Sequence, residues 1–491
     1  MNQTKTMNIT DFKHIRFLGA EGIGMRALIA ILEDKIKQGE LSSEFRISKS
    51  DLSYKANDPL DKSIDLAIRS TAVKADDPDM LFMKEHNIPV IHRSDMLNLL
   101  SDGALQIVIS GTHGKTSTSA LTAYLLSQIR PSSGFAVGGV LKDFPANGKA
   151  ASPESYFVME GDESDKSFMK TNPHIAVVTD VEADHLENYP GGLSEIQDCF
   201  KKFLDSAEYK IVCTNNPFLK AYADEHRNKK SAQLKVLSYS SIYKDADIFV
   251  DLEKAEITFK MISFKLDLKI SGKFNLLNAS ASLLVALVIL LKENLFSLNP
   301  SNDSVVASTE HLSTLIPLLR DFQGTERRME LINKDLGIYD DYAHHPSEIR
   351  ALLESVKTMI NSEEKALFIY QPHHPERTQQ FWADFVQVFK EFPLNIDVLL
   401  LDIYVARSQH IEGVNTRRMV EEIALENVIY LDPNENLSAA EAKVADVQGN
   451  FKDIVETLKP LIDRRLEAGD YKKVFFVGAG NISKIAGKYR G

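Results

Sequence analysis

Gly111-Thr112-His113-Gly114-Lys115-Thr116, followed by Ser117, combines the residue types that can hold the phosphates of a nucleotide. Glycines let backbone N–H groups close around phosphate oxygens, and a helix starting at the loop adds a favourable dipole. The Lys115 ammonium can reach terminal phosphates, and the Thr116 hydroxyl is a hard donor for Mg²⁺. Two residues separate the glycines, fewer than in the common phosphate loop, so the alternative is a glycine turn capping a helix beside an incidental lysine. Downstream, carboxylates gather in Glu160-Gly161-Asp162-Glu163-Ser164-Asp165 and again from Asp180 to His185. Glu160 is the best candidate Mg²⁺ ligand, and the acids after it fit a solvated loop or a helix N-cap equally well. His185 is open to two readings, a metal ligand or a satisfied loop histidine.

Such groups need strands to deliver them to one edge. An apolar strand at 106–110 precedes the phosphate loop and a helical pattern at 117–128 follows it. Strands at 156–159 and 175–178 end where the two acidic clusters begin, and ligands of open α/β sheets bind at such C-terminal strand ends. An earlier block starts with the strand His14–Leu18, then Gly19, Gly22 and Gly24, then a helix bearing Met25, Leu28, Ile29 and Leu32. Amides of that glycine turn could face a diphosphate; read alone, the turn serves NAD as well. Alternating residues at 257–268 predict an antiparallel ribbon, and 278–291 an apolar helix. A third alternation of strands and helices begins near Gln323, with strands at 337–340, 366–370, 398–401, 428–431 and 474–477. The expected architecture is α/β in three domains: a Rossmann-like unit at 1–106, a central P-loop ATPase-type unit at 107–322 and a C-terminal Rossmann-like unit at 323–491.

The 491 residues suffice for about three domains. With 44% hydrophobic, 26% charged and 8% aromatic residues the composition is that of a globular protein. The net charge of −12 argues against a broad nucleic-acid or anionic-membrane surface. Cys199 and Cys213 alone exclude a disulfide framework and a structural zinc site. The apolar run 281–291 is too short to span a membrane and reads as a buried helix. The polar N-terminus lacks a signal-peptide core, so the cytoplasm is the expected compartment.

Taken together these segments resemble the Mur ligase family, the ATP-dependent ligases of peptidoglycan precursor synthesis, over nearly the whole chain. The motif carriers are GTHGKT at 111–116, Glu160–Asp165, Glu182-Ala183-Asp184-His185, Gly272–Ala279, Arg327–Glu330, Asp340–Pro346, Tyr370–His373 with Arg377 and Thr378, and Gly478–Ile482. The alanine-adding branch is the nearest in motif. The resemblance implies a ligase that joins L-alanine to the carboxylate of UDP-N-acetylmuramate through an acyl phosphate, using ATP and Mg²⁺, as a monomer or homodimer. It also implies residue roles. The loop 111–117, Asn275, Asn278, Arg328 and Asp341 would bind ATP, and Thr116, Glu160 and His185 would hold Mg²⁺. Lys115, Arg328 and His344 would be catalytic. Gly19, Gly22, Gly24, Asp51, Ser70, His92, Arg93 and His113 would serve the nucleotide sugar. His373 and His374 receive no role.

The chain departs from the family at Glu21 (usually Gly), Arg26 (Ser), Asp180 (Asn) and Phe274 (His). Glu21 would set a carboxylate near a diphosphate. Phe200 stands where some Mur ligases carry a carbamylated lysine, with Lys201 adjacent, in agreement with the alanine-adding branch. Gly134–Val140 and Glu160-Gly161-Asp162 resemble a branch that recycles a murein tripeptide onto the same sugar, one alternative. A catalytically silent sugar-nucleotide-binding regulator is another.

Overall fold

The computed structural model describes residues 7–51, 58–227, 235–293, 302–405, 409–431, 459–460, 462–464, 466–467 and 471–491. They form three α/β sheets in two compact units, one of residues 1–269 with 275–325 and the other of residues 270–274 with 326–491.

The first unit carries two sheets. The amino-terminal one has β1 (His14–Leu18), β2 (Arg46–Ser50), β3 (Leu66–Arg69) and β4 (Val90–His92), all parallel in the order β2-β1-β3-β4. The second contains β5 (Leu105–Ser110), β6 (Gly134–Ala136), β7 (Gly148–Lys149), β8 (Tyr156–Glu160), β9 (Pro173–Val178), β10 (Tyr209–Cys213), β11 (Lys235–Ser240), β12 (Ile248–Asp251), β13 (Glu256–Phe259) and β14 (Ile262–Lys265). Its order is β14-β13-β12-β11-β10-β9-β5-β8-β6-β7, parallel from β12 to β6 with antiparallel margins. The expected ribbon at 257–268 is the hairpin β13–β14.

The interior strands are covered on both faces, so β5 and β9 are near-continuous apolar runs rather than alternating ones. From β5 the chain builds β8 and β6 on one side, then β9 to β11 on the other. The order therefore reverses at β5, and a crevice opens beyond its carboxyl end.

The two sheets of this unit share one apolar core, in which Ala27, Leu28 and Ile31 lie with Ala136, Ala150 and Phe157. The contact is close: a Cβ built on Gly148 would fall 2.2 Å from the Ala27 carbonyl oxygen. Polar bonds tie the same seam, with Asn147 Nδ2 donating to the Ile23 carbonyl at 2.9 Å and the Ala150 amide to Asp34 at 3.0 Å.

The apolar helix runs Phe274–Glu293, longer at both ends than its sequence pattern indicates. By length and composition its segment Phe274–Lys292 could cross a membrane, but 83% of its most apolar window is buried inside the protein, so it is a core helix. Ser282 Oγ on it accepts a bond from Thr122 at 3.0 Å, which fastens it to the helix Lys115–Ile129. Phe200, at the carbamylated-lysine position, is fully buried against Phe168.

The second unit holds β15 (Glu330–Asn333), β16 (Ile338–Asp341), β17 (Lys365–Tyr370), β18 (Ile396–Leu400), β19 (Val428–Tyr430) and β20 (Tyr471–Val477) in the order β15-β16-β20-β17-β18-β19. Only β15 runs antiparallel. Phe274 packs on this unit's core.

Candidate active site

The phosphate loop lies between the two acidic loops because β5 lies between β8 and β9. Ile109 pairs with Glu160 on one side and Ser110 with Val178 on the other. Gly111 and Gly114 both have positive φ, at 132° and 83°, which a side chain would strain. A Cβ on Gly111 would also meet Thr179 Oγ1 at 2.4 Å. The loop is clipped to the segment after β9. The Thr112 amide donates to the Asp180 carbonyl at 3.0 Å, the Glu182 amide to Thr112 Oγ1 at 2.8 Å, and His113 Nε2 pairs with Glu182 at 3.2 Å. Asp180 is half-buried and bonded by Asn216 Nδ2 at 2.9 Å; desolvation pushes its carboxyl up against the pull of His113.

Lys115 opens the helix and turns its ammonium back over the loop, donating to the Gly111 carbonyl at 2.6 Å, the Thr112 carbonyl at 3.1 Å and Glu163 at 2.7 Å. Burial alone would lower this ammonium. Glu163, Asp162 and Glu160 outweigh it, and the group is held above its usual range as a cation. Glu163 is thus a buried partner of the phosphate-loop lysine, and the expectation of a solvated loop or cap fails for it. Chain position carries no signal for this, because burial depends on how the loop after β8 folds back.

Thr116 Oγ1 lies 3.3 Å from Glu160 Oε2. Two donors in adjacent octahedral positions about 2.1 Å from Mg²⁺ stand about 3 Å apart, so this hydroxyl–carboxylate pair fits the ion. The other carboxylate oxygen accepts the Gly138 amide at 2.6 Å, and a Cβ on Gly138 would sit 2.8 Å from Oε2. In the sequence Gly138 stands out only as part of Gly134–Val140 and carries no role; the structure sets its amide on the Glu160 carboxylate. His185 adopts φ 54° and faces Asp184 at 3.5 Å and Glu187 at 3.4 Å.

A cavity of about 570 Å³ joins these groups to the amino-terminal sheet. Lys115, Glu160 and His185 line it, and so do Gly22, Gly24, Ser70 and Arg93. The Arg93 guanidinium reaches across to Asp162 at 2.5 Å and Asp165 at 3.9 Å.

The remaining expected residues are placed differently. The Gly19 amide donates to the Ser50 carbonyl at 2.9 Å, since the β1–β2 ladder continues past the strand, and Gly19 does not line the cavity. His92 caps the helix Arg93–Leu100 and bonds Thr71 Oγ1 at 3.0 Å. Asp51 lines a second cavity of about 340 Å³ with Glu21, Arg26 and Lys49. Glu21 and Arg26, opposite in charge, therefore both line that cavity. Asn275 and Asn278 are buried. Asn278 Nδ2 donates to Asn275, and Asn278 Oδ1 accepts from Thr118 and supports Gly114. Ser117 is buried in the first turn of the loop's helix.

In the second unit Asp341 accepts the Met329 and Ala343 amides, both at 2.7 Å, and burial lifts its carboxyl to about 6 against the pull of Arg328. Arg328 stacks 5.1 Å from the Tyr342 ring centre. His344 bonds the Tyr342 carbonyl at 3.0 Å, and burial lowers its ring to about 4, leaving it neutral at physiological pH. His373 stacks on Tyr404.

Comparison with known proteins places the chain in a family. Residues 109–286 match the Mur ligase middle domain, and 327–469 match the domain described as Mur ligase, glutamate ligase domain. A protein of Carboxydothermus hydrogenoformans named UDP-N-acetylmuramate–L-alanine ligase is 31% identical over 97% of this chain and 96% of its own. One of the same name from Buchnera aphidicola is 30% identical over 98% of both chains. Among solved structures, UDP-N-acetylmuramate–alanine ligase MurC from Thermotoga maritima superposes with a TM-score of 0.65 at 22% identity, covering 97% of this chain and 98% of that one. The murein peptide ligase Mpl of Psychrobacter arcticus gives 0.58 at 19% identity, with the same coverage of 97% and 98%.

Proposed function

The chain belongs to the Mur ligase family of ATP-dependent ligases, and from that premise we propose that it joins L-alanine to the lactyl carboxylate of UDP-N-acetylmuramate. The observation that carries the proposal is the single cavity lined both by the phosphate-loop Lys115 with Glu160 and by Gly22, Gly24 and Arg93 of the amino-terminal sheet. A triphosphate at 111–117 and a sugar-linked acid held by the first sheet would meet there. We assign 1–106 to the nucleotide sugar, 107–322 to ATP and 323–491 to completing the ligation site, with the reaction in the cytoplasm.

A carboxylate is a poor electrophile and needs activation. Its oxygen attacks the γ-phosphorus, the bond to ADP breaks, and an acyl phosphate forms. The amine nitrogen of L-alanine then attacks the acyl carbon, inorganic phosphate leaves with the bonding pair, and the nitrogen gives up its proton. Lys115 neutralises charge on the phosphates and holds them in line. Thr116 and Glu160 would hold Mg²⁺, which supplies further charge neutralisation when bound, and His185 is the proposed ligand of a second ion. Gly138 fixes the Glu160 carboxylate through its amide. Asn275 and Asn278 are assigned to the adenine, with Asn278 also against the loop at Gly114, and Arg328 and His344 are assigned to the reacting phosphates and Asp341 to the nucleotide ribose. His113, Ser70 and His92 are assigned to the sugar side, with Asp51 at the uridine end.

Phosphate release with UDP-N-acetylmuramate, ATP and each of L-alanine, glycine, L-serine and the murein tripeptide tests the proposal. L-alanine should give the highest kcat/KM. Preference for the tripeptide would assign the chain to the recycling reaction, and no amine-dependent release would leave a sugar-nucleotide-binding regulator.

A further inference from the structure

The loop after β8 presents neighbouring carboxylates to two cations that come from different sheets. Glu163 holds Lys115 at 2.7 Å, and Asp162 holds Arg93 at 2.5 Å, across 69 residues of chain. Asp162 is itself fixed, because Ser164 donates to its Oδ1 from both amide and hydroxyl, at 3.0 and 2.6 Å. Its other oxygen is left for the guanidinium. Arg93 Nη1 in turn lies 3.3 Å from where a Cβ on Gly24 would be, so the guanidinium is pressed against the glycine turn. Arg93 meets Asp162 through Nη2 alone, and a planar guanidinium held at that end keeps its remaining N–H donors in fixed directions.

We propose that Asp162 is a positioning residue for the nucleotide sugar: it aims Arg93, beside the Gly22–Gly24 turn, at the anionic diphosphate of that substrate, while the adjacent Glu163 aims Lys115 at ATP. One short loop thereby sets the two substrate-facing cations, each through its own hydrogen-bonded carboxylate. The inference rests on the ligase reading given above.

The test is a crossed measurement of KM by phosphate release, with thermal unfolding to verify folding. Asp162→Asn is expected to raise KM for UDP-N-acetylmuramate about tenfold or more, with kcat and the KM for ATP within about threefold of the parent. Glu163→Gln is expected to do the reverse, raising KM for ATP and sparing that of the nucleotide sugar. Arg93→Lys keeps the charge but loses the planar, directional donors, so it should reproduce the Asp162→Asn pattern and serves where Asp162→Asn fails to fold. In the double variant the two effects should not add. An equal rise in both KM values from either carboxylate change, or none from Asp162→Asn and Arg93→Lys, overturns the inference. Calorimetric binding of UDP-N-acetylmuramate separates the two readings. If the parent binds it without turning over, the ligase reading fails alone, and weaker binding by Asp162→Asn still supports the role of Asp162. If parent and variant bind equally, that role is refuted; if the parent does not bind it, both readings fall.

Discussion

Replacing Lys115 with alanine has two consequences that the structure separates. The first is chemical, since the cation assigned to the phosphates is gone and phosphate release should fall below detection. The second is structural. Glu163 is buried and Lys115 is its cationic partner at 2.7 Å. Burial already pushes that carboxyl up against the pull of Lys115. Removing one member of such a pair leaves a buried charge and typically costs about 3–5 kcal/mol. For a unit of this size that is a fall in Tm of order 5–10 °C. The penalty depends on pH. Without the ammonium the carboxyl rises further, so the folded protein binds a proton that the unfolded chain has already released. Stability of the variant therefore falls as pH rises through the range between the two values, and the deficit is smallest in acid. Adding Glu163→Gln removes the stranded charge, so the double variant should regain most of the lost Tm. Phosphate release should remain absent, because the cation assigned to the phosphates is still missing. Differential scanning fluorimetry from about pH 5 to pH 9, paired with phosphate release, measures both. A single variant as stable as the parent at every pH, or a double variant that recovers turnover, would refute the reasoning.

Three further outcomes are expected. Gly138→Ala should fold, because the nearest atoms to its new methyl are the movable end of the Glu160 side chain, at 2.8 and 3.1 Å; turnover should drop about 10–100-fold and the Mg²⁺ dependence should shift to higher concentration. Asp340 is held up at about 7, by burial against the pull of Arg327, so the folded state binds an extra proton from about pH 4 to pH 7. Stability contributed by that group is full in acid and lost as pH rises through 7, by at most about 4 kcal/mol, and Asp340→Asn should flatten this slope in thermal unfolding; unchanged slopes would count against it. Phe200→Ala should cost about 3–5 kcal/mol in denaturant unfolding and leave KM for both nucleotides unchanged, since Phe200 is core and packs on Phe168.

The local form of the phosphate loop is legible in the chain. A strand, a glycine turn, Gly-Lys-Thr and a helix are contiguous, and each is dictated by local backbone requirements, as the positive φ at Gly111 and Gly114 bears out. Glu160 was legible for the same reason, as the residue that closes an apolar strand. The extent of the apolar helix was less so, because Phe274 and Asn275 belong to it without being part of the apolar run.

What could not be read from the order of residues is which groups meet. The strand order β9-β5-β8 sets two acidic loops on either side of one phosphate loop, and residues 69 positions apart, Arg93 and Asp162, become an ion pair. Glu163 looks like its half-buried acidic neighbours in the chain, yet it is buried under Lys115, whereas Gly19 looks like its cavity-lining neighbours Gly22 and Gly24, yet its amide is spent on Ser50. The reason is common to all three. Local conformation follows from nearby side chains and backbone, but burial and pairing of charges depend on register and packing between distant elements, which no local stretch encodes.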